Sequence, residues 1–267
     1  MSRMPAVAGK FYASNRPDLE KEIAACVKKK KEKINALGIV SPHAGYMYSG
    51  HVAGETISSI KPKSTYIIIG PNHTGSGMPF GLDTESSWKT PLGEVQIDRP
   101  LAENIIKNSR YIKEDSLSHS YEHSIEVQLP FLQYLQDDFN FVPIAVSQAD
   151  KETCVNIGNE LAMVLSELKK DVTIIASSDM THYESHDSAK RKDTMTIDKI
   201  LKLDISGFFK TVTERNISMC GYVPVAIMLQ AAIKLGARDS KLIKYMTSGE
   251  ISSDYSTVVG YAGLAIY

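Results

Sequence analysis

The chain has 267 residues, 43% hydrophobic and 23% charged, enough to bury a large core as one big α/β domain or two small ones. Lys+Arg 30 against Asp+Glu 31 leaves a formal net charge of −1, so no global field favours nucleic acid or an anionic membrane. Cys26, Cys154 and Cys220 are odd in number and form no CxxC, which argues against a disulfide framework or a zinc-thiolate cluster. With no apolar leader and no run long enough to span a bilayer, the expectation is a soluble cytoplasmic protein.

The first predicted helix runs from Pro17 to Ala36, with Asn15 and Asp18 at capping-box spacing and Leu19, Ile23, Cys26 and Val27 as its apolar stripe. Its lysine run, Lys28 to Lys31, reads as a solvated face near the helix C-terminus. From Gly38 onward β-branched runs alternate with amphipathic segments. Strands are predicted at 37–40, 65–69, 141–146, 172–176 and 242–246, and helices at about 50–60, 100–109, 122–136, 151–168, 187–203 and 221–235. Glu94 to Ile97 reads as a short excursion after the Thr90-Pro-Leu-Gly93 turn, and 256–267 as a closing strand. Apolar strands alternating with helices imply an α/β fold whose mostly parallel or mixed central sheet carries helices on both faces. No repeat or linker divides the chain, so residues 1–267 are read as a single domain.

In open α/β sheets ligands bind beyond the carboxyl ends of the strands. The segments that follow the predicted strands deliver His43 in SPHAGY, His73 in GPNHTG, Asp179 and His182 in SSDMTHY, and Glu250 in TSGEISSD. Each has a plainer reading. His43 could cap a helix, Asn72 and His73 could belong to an ordinary turn, Asp179 could be an N-cap, and Glu250 could be loop surface. Their shared location favours a site. Two imidazoles and one carboxylate with open positions form the ligand set of non-haem Fe(II) oxygenases and also suit zinc or copper. His43, His73 and Glu250 fit the ligand roles and His182 the acid/base role, with Asp179 orienting that ring.

The stretch His119-Ser-Tyr-Glu122-His123 matches the HxxEH pattern of inverted zinc peptidases. The helix is expected to start near Ser120, however, leaving His119 outside it, so Glu122 and His123 read better as lining the same crevice. Asn72, Tyr46, Tyr48 and Tyr183 are further candidates for the pocket wall, with Trp88 nearby, although core packing explains aromatics as well. Cys220, at a helix start, is either a mildly acidified thiol or a buried small hydrophobe. Walker, GxGxxG and GxSxG motifs are absent from the sequence, so nucleotide and serine-hydrolase chemistry lack their signatures.

PAVAGKFY, SPHAGYMYSG, GPNHTG, WKTPLGEV, EHSIEVQLPFLQ, SSDMTHY and STVVGYAGLA occur in this order over nearly the whole chain. Together they resemble the Memo family, the proteins related to the mediator of cell motility. The resemblance implies a single-domain fold similar to the LigB-type class III extradiol dioxygenases, which use non-haem iron. It matches His43 and His73 to the metal-binding histidines and His182 to the catalytic histidine. The remaining ligand position looks like a cysteine in animal members and a glutamate in the dioxygenases. The TSGEISSD loop has no cysteine, so Glu250 is expected to fill it, with Asp254 as the alternative. Activity on a small organic substrate by a metal-dependent oxidoreductase follows, with Fe(II) the expected ion and zinc or copper the alternatives. A non-catalytic peptide-binding module and a zinc metallohydrolase are the competing readings. Microbial members also imply a pathway link to radical-SAM and AMMECR-type proteins.

Overall fold

The computed structural model describes residues 2–28, 31–85 and 87–267. The first half of the chain forms β1 (Ser2–Arg3), α1 (Arg16–Cys26), β2 (Gly38–Ser41), α2 (Tyr46–Ser58), β3 (Thr65–Pro71), β4 (Phe80–Leu82), β5 (Ser87–Thr90), β6 (Gly93–Ile97), α3 (Arg99–Asn108), β7 (Lys113–Glu114) and α4 (Leu129–Leu135). The second half forms β8 (Asn140–Val146), α5 (Lys151–Glu167), β9 (Val172–Ser177), β10 (His182–Glu184), α6 (His186–Leu201), α7 (Ile205–Glu214), α8 (Tyr222–Lys234), β11 (Ser240–Thr247), α9 (Gly249–Ser252) and β12 (Val258–Ile266).

Strands β8, β3, β9 and β2 lie side by side in that order, all parallel, and form the middle of a mixed sheet. β3 (TYIIIGP) and β9 (VTIIAS) are buried at every position. Such strands lack the in-out alternation of a half-exposed sheet and need cover on both faces. Helices α2, α1 and α4 supply one cover and α8, α5 and α3 the other. On the far side of β2, antiparallel β12 pairs with β2, β11 and β10, which makes the sheet mixed. On the opposite flank, β6 continues the parallel run beside β8, and β5 and β1 extend it outward. The result is a single-domain α/β fold in which β8, β3, β9 and β2 end on one edge. Among the described residues no helix is long and apolar enough to cross a membrane.

Two predicted elements are shorter than expected. α1 stops at Cys26 rather than Ala36, because Val27 turns extended and its N–H closes the last turn on Ile23 O. Asn15 does cap this helix, accepting from Asp18 N, while Lys29 and Lys30 of the lysine run lie outside the described residues. The helix expected over 122–136 is confined to α4, preceded by single 3-10 turns at Leu117–His119 and Glu126–Gln128. The intervening backbone is held by the Glu122 side chain: the N–H groups of His123 and Ser124 both donate to Oε1, at 2.8 Å each. A carboxylate that captures its neighbours' N–H groups competes directly with helix formation.

Candidate metal centre

The parallel strands place the first groups. β2 leads through Ser41-Pro42 to His43, β3 leads through Asn72 to His73, and β9 ends at Ser177, two residues before Asp179. A third imidazole, His123, comes from the loop held over the end of β3. That loop sits so close that a Cβ on Gly70 would lie 2.4 Å from Ser124 Oγ and 2.8 Å from Ile125 Cγ1. Ser124 Oγ donates to Pro71 O at 2.9 Å, which fastens the loop to the strand end. Only glycine permits this approach.

The ligand-competent nitrogens of His43, His73 and His123 all lie within 4.8 Å of one another. His43 is buried, His123 half-buried and His73 exposed at the rim, so the cluster is anchored below and open above. The hydrogen bonds fix which nitrogen each ring offers. Ser177 Oγ donates to Ser124 O at 2.6 Å and accepts from Gln128 Nε2 at 2.9 Å. Its single proton is therefore used, so the 2.9 Å contact with His43 Nδ1 requires that Nδ1 carry the proton. Gln128 is itself locked, accepting from Ser41 Oγ and donating to Pro42 O. Glu122 Oε1 lies 3.0 Å from His73 Nδ1 and 3.2 Å from His123 Nδ1. Acceptors thus hold the Nδ1–H groups of His43 and His73, leaving their Nε2 lone pairs for a common ligand, and the His123 ring lies beside them with its Nδ1 facing the Glu122 carboxylate. Outer acceptors of this kind set tautomer and ring orientation at metal sites.

Electrostatics agree with neutral rings at His43 and His123. Burial, then the neighbouring His123 and His73, holds His43 well below the usual imidazole range. Burial also lowers His123, although Glu122 opposes it. Burial would raise the Glu122 carboxyl, but the His73 ring, the Ser124 N–H and His123 outweigh it and hold the group down at about 2. One residue turn later, Glu126 accepts from Arg3 Nη1 at 2.7 Å, Ala6 N at 2.7 Å, Val7 N at 3.1 Å and Tyr12 OH at 2.6 Å. This fixes the N-terminal segment against the histidine loop, and Phe11 packs on His123 with ring centroids 4.6 Å apart.

Cys220, just before α8, places Sγ 3.3 Å from His43 Nε2. A Cβ on Gly221 would lie 2.3 Å from Ser177 O, so glycine lets the start of α8 come this close to β9. Burial and the Asp179 charge push the thiol up, keeping it protonated in the free protein. Asp179 accepts from His43 N at 2.8 Å, and burial lifts its carboxyl to about 6 against that bond, the His182 charge and the Ala44 N–H. His182 donates Nδ1–H to Ser218 O at 2.8 Å, which leaves Nε2 as its basic nitrogen, and it lies near enough to His43 to oppose that ring's protonation.

Residues 3–265 match the family described as Memo-like protein. The chain belongs to the Memo family. A "MEMO1 family protein" of Methanosarcina mazei is 47% identical over 266 residues, covering 99% of this chain and 98% of the relative. Others so named are 44% identical over 285 residues in Methanococcus maripaludis, covering all of both chains, and 41% over 278 residues in Methanopyrus kandleri, covering 99% and 98%. Among solved structures, an uncharacterized protein from Escherichia coli K12 superposes with a TM-score of 0.55 at 11% identity, covering 85% of this chain and 98% of that one. That likeness is one of fold.

In this Memo-family chain the sequence-predicted groups divide. His43 and His73 come together, and Asp179 and His182 lie beside them. Glu250 does not join the cluster: it is exposed on α9, where Oε1 accepts from Thr247 N at 3.0 Å. Asp254 is exposed too, accepting from Ser256 N and Oγ in a turn. His123, not a carboxylate, stands third beside His43 and His73, and Cys220 brings a sulfur next to His43 from the start of α8 rather than from the TSGEISSD loop. Glu122, expected as pocket wall, is instead the acceptor that orients His73 and His123. Tyr46 is buried, with its OH donating to Val127 O at 2.7 Å, so it belongs to the core rather than the pocket wall. Trp88 is likewise buried, stacked edge-on to Phe141 and His119. Tyr48 is half-buried near Tyr261, Tyr183 is exposed next to His182, and Asn72 lines a small pocket beside His73. His119 is buried in a 3-10 turn with Nε2 on Gly81 O at 3.0 Å, so the HxxEH pair does not share a helix.

Proposed function

We propose that this Memo-family protein is a metal-dependent oxidoreductase of the non-haem iron type acting on a small organic substrate. The observation that carries the reading is the set of three imidazoles whose ligand-competent nitrogens lie within 4.8 Å of one another, with the Nδ1 protons of His43 and His73 tied to Ser177 and Glu122 so that their Nε2 lone pairs are free for one ion. Neutral imidazoles with a nearby thiol suit iron(II), copper and zinc, and Fe(II) is assigned first on the resemblance to the dioxygenases. Such an ion, when bound, supplies a redox-capable Lewis acid at the strand ends. Around it, His182 Nε2 is a base with access to solvent, and Asp179 holds the His43 backbone while its raised carboxyl can store a proton near neutral pH. The three-imidazole set with no carboxylate also favours a second reading, because three histidines and an open position form a hydrolytic zinc site.

Anaerobic loading with Fe(II) should give one ion per chain, lost in His43→Ala and His123→Ala and retained in Glu250→Ala. Unchanged binding by His43→Ala removes the reading. Oxygen uptake over a panel of small organic compounds, dependent on His182, supports the oxidoreductase. Ester hydrolysis by zinc-loaded protein without oxygen uptake supports the hydrolase.

A further inference from the structure

Beside the histidines, on the side toward β8, lies a pocket of about 210 Å³. Its walls are apolar, Pro71 and Val146 from the strand ends and Tyr222, Val223 and Pro224 from the start of α8. His73 and Cys220 border it, which connects it to the metal centre. Asn72, Ser147 and Gln148 complete the lining; the Asn72 amide is used within its own turn, by Ser76 O, Thr74 and Gly75 N, whereas the side chains of Ser147 and Gln148 form no hydrogen bond to the described residues. They follow β8, whose register pairs Val146 with Pro71 of β3, so they lie across β3 from His43. Strands stand about 4.8 Å apart, which makes this the end of the pocket remote from His43 and Cys220. The segment is held in place: Asn72 N donates to Val146 O at 2.8 Å, and Ser147 N donates to Pro79 O at 2.7 Å.

Three features define what fits. An apolar cavity of about 150 Å³ holds benzene, so this volume suits a molecule of one ring or equivalent size. The apolar walls suit a flat apolar body. No Asp, Glu, Lys or Arg lines the pocket, so a charged group at the Ser147–Gln148 end meets no counter-charge, whereas an amide or hydroxyl finds donors and acceptors there.

We propose that this pocket seats the substrate of the metal centre, and that the substrate is a single-ring-sized molecule whose end remote from His43 and Cys220 is an uncharged hydrogen-bonding group read by Ser147 and Gln148. The inference rests on the metal-centre reading for the identity of the reacting end, and on the pocket alone for the remote end.

The test uses three isosteres, 4-hydroxybenzamide, 4-hydroxybenzoate and 4-hydroxybenzamidine, which carry a neutral, an anionic and a cationic tail at neutral pH. Binding is measured by ligand-observed NMR titration on metal-free and Fe(II)-loaded full-length protein, with metal stoichiometry determined on the same samples. The amide should bind at least about tenfold more tightly than either ion, Gln148→Leu should lose about tenfold in amide affinity, and Gln148→Lys should reverse the order in favour of the benzoate. Gln148 is exposed, so neither variant threatens the fold. The benzoate or the amidine matching the amide in the metal-free wild type, an unchanged order in Gln148→Lys, or binding of none of the three overturns the proposal. Protein that takes up no metal yet prefers the amide overturns the metal-centre reading alone; protein that loads metal yet binds no probe overturns the pocket alone.

Discussion

Glu122→Gln separates orientation of the histidines from simple support of the fold. In the native protein this carboxylate serves the N–H groups of His73, His123 and Ser124 and the ring N–H group of His73, and its charge faces the His123 ring. Glutamine offers one acceptor oxygen and turns an NH2 group toward the remaining donors. A buried carboxyl held at about 2 rather than 4.5 contributes on the order of 3 kcal/mol at neutral pH. Because the folded pKa is the lower one, that contribution is present above 4.5 and disappears as pH falls through about 2. The variant should therefore melt roughly 6–12 °C lower by calorimetry of the metal-free protein. Its affinity for Fe(II) or Zn(II), measured by competition with a chromogenic chelator, should fall roughly 10–100-fold, the usual cost of removing an outer acceptor from a ligating histidine. A Glu122→Gln protein that loses stability yet binds metal as tightly as wild type would refute the orienting role.

Three further outcomes follow from the structure. His119 is buried and held at about 4, chiefly by burial, so the unfolded chain takes up its proton first and stability declines as pH drops from 6.5 toward 4; urea midpoints across that range should fall less steeply in His119→Phe. Glu126→Ala leaves the largely buried Arg3 guanidinium without its partner and should cost about 3–5 kcal/mol in urea unfolding, with the N-terminal segment the first region to exchange amide protons. Gly70→Ala puts a Cβ against Ser124 and Ile125, so it should cost about 1–3 kcal/mol and weaken metal binding although no ligand is altered; far-UV circular dichroism should not change.

The strands were legible because their chemistry is local. Runs such as Thr65-Tyr-Ile-Ile-Ile69 have one physical solution in a chain of this composition, and each predicted strand is observed with its ends shifted by at most two residues, whereas the short strands β1, β4, β5, β7 and β10 carry no such run and are not predicted. The helix over 122–136 was misread because its apolar spacing is genuine while the competing acceptor, the Glu122 side chain, takes N–H groups from backbone as distant as His73. The same non-locality hid the third imidazole. Nothing in the spacing of His43, His73 and His123 indicates that the 122–125 loop crosses the end of β3, since that depends on the missing Cβ of Gly70 and on Ser124. Glu250 was favoured because it follows a strand, yet β11 lies beyond β12 on the outer part of the sheet, away from β3 and β9. Cys220 was undervalued for a related reason: a thiol at a helix start carries no sign that Gly221 lets that helix abut Ser177.

The wide chain separation of the histidine shell has a consequence for the order in which the protein is made. His43 meets Ser177 across 134 residues and Cys220 across 177, while Arg3 reaches Glu126 across 123. Contacts of this range close only after the intervening loops have lost their entropy, so the shell belongs to the late, slow part of folding. A growing chain that has not yet produced β9 and the start of α8 lacks the hydroxyl that sets the His43 tautomer, although all three histidines have already been synthesised. The assembled imidazole shell is therefore a property of the finished molecule, and an ion taken up there, as proposed, would report completed folding of the whole chain rather than of any fragment.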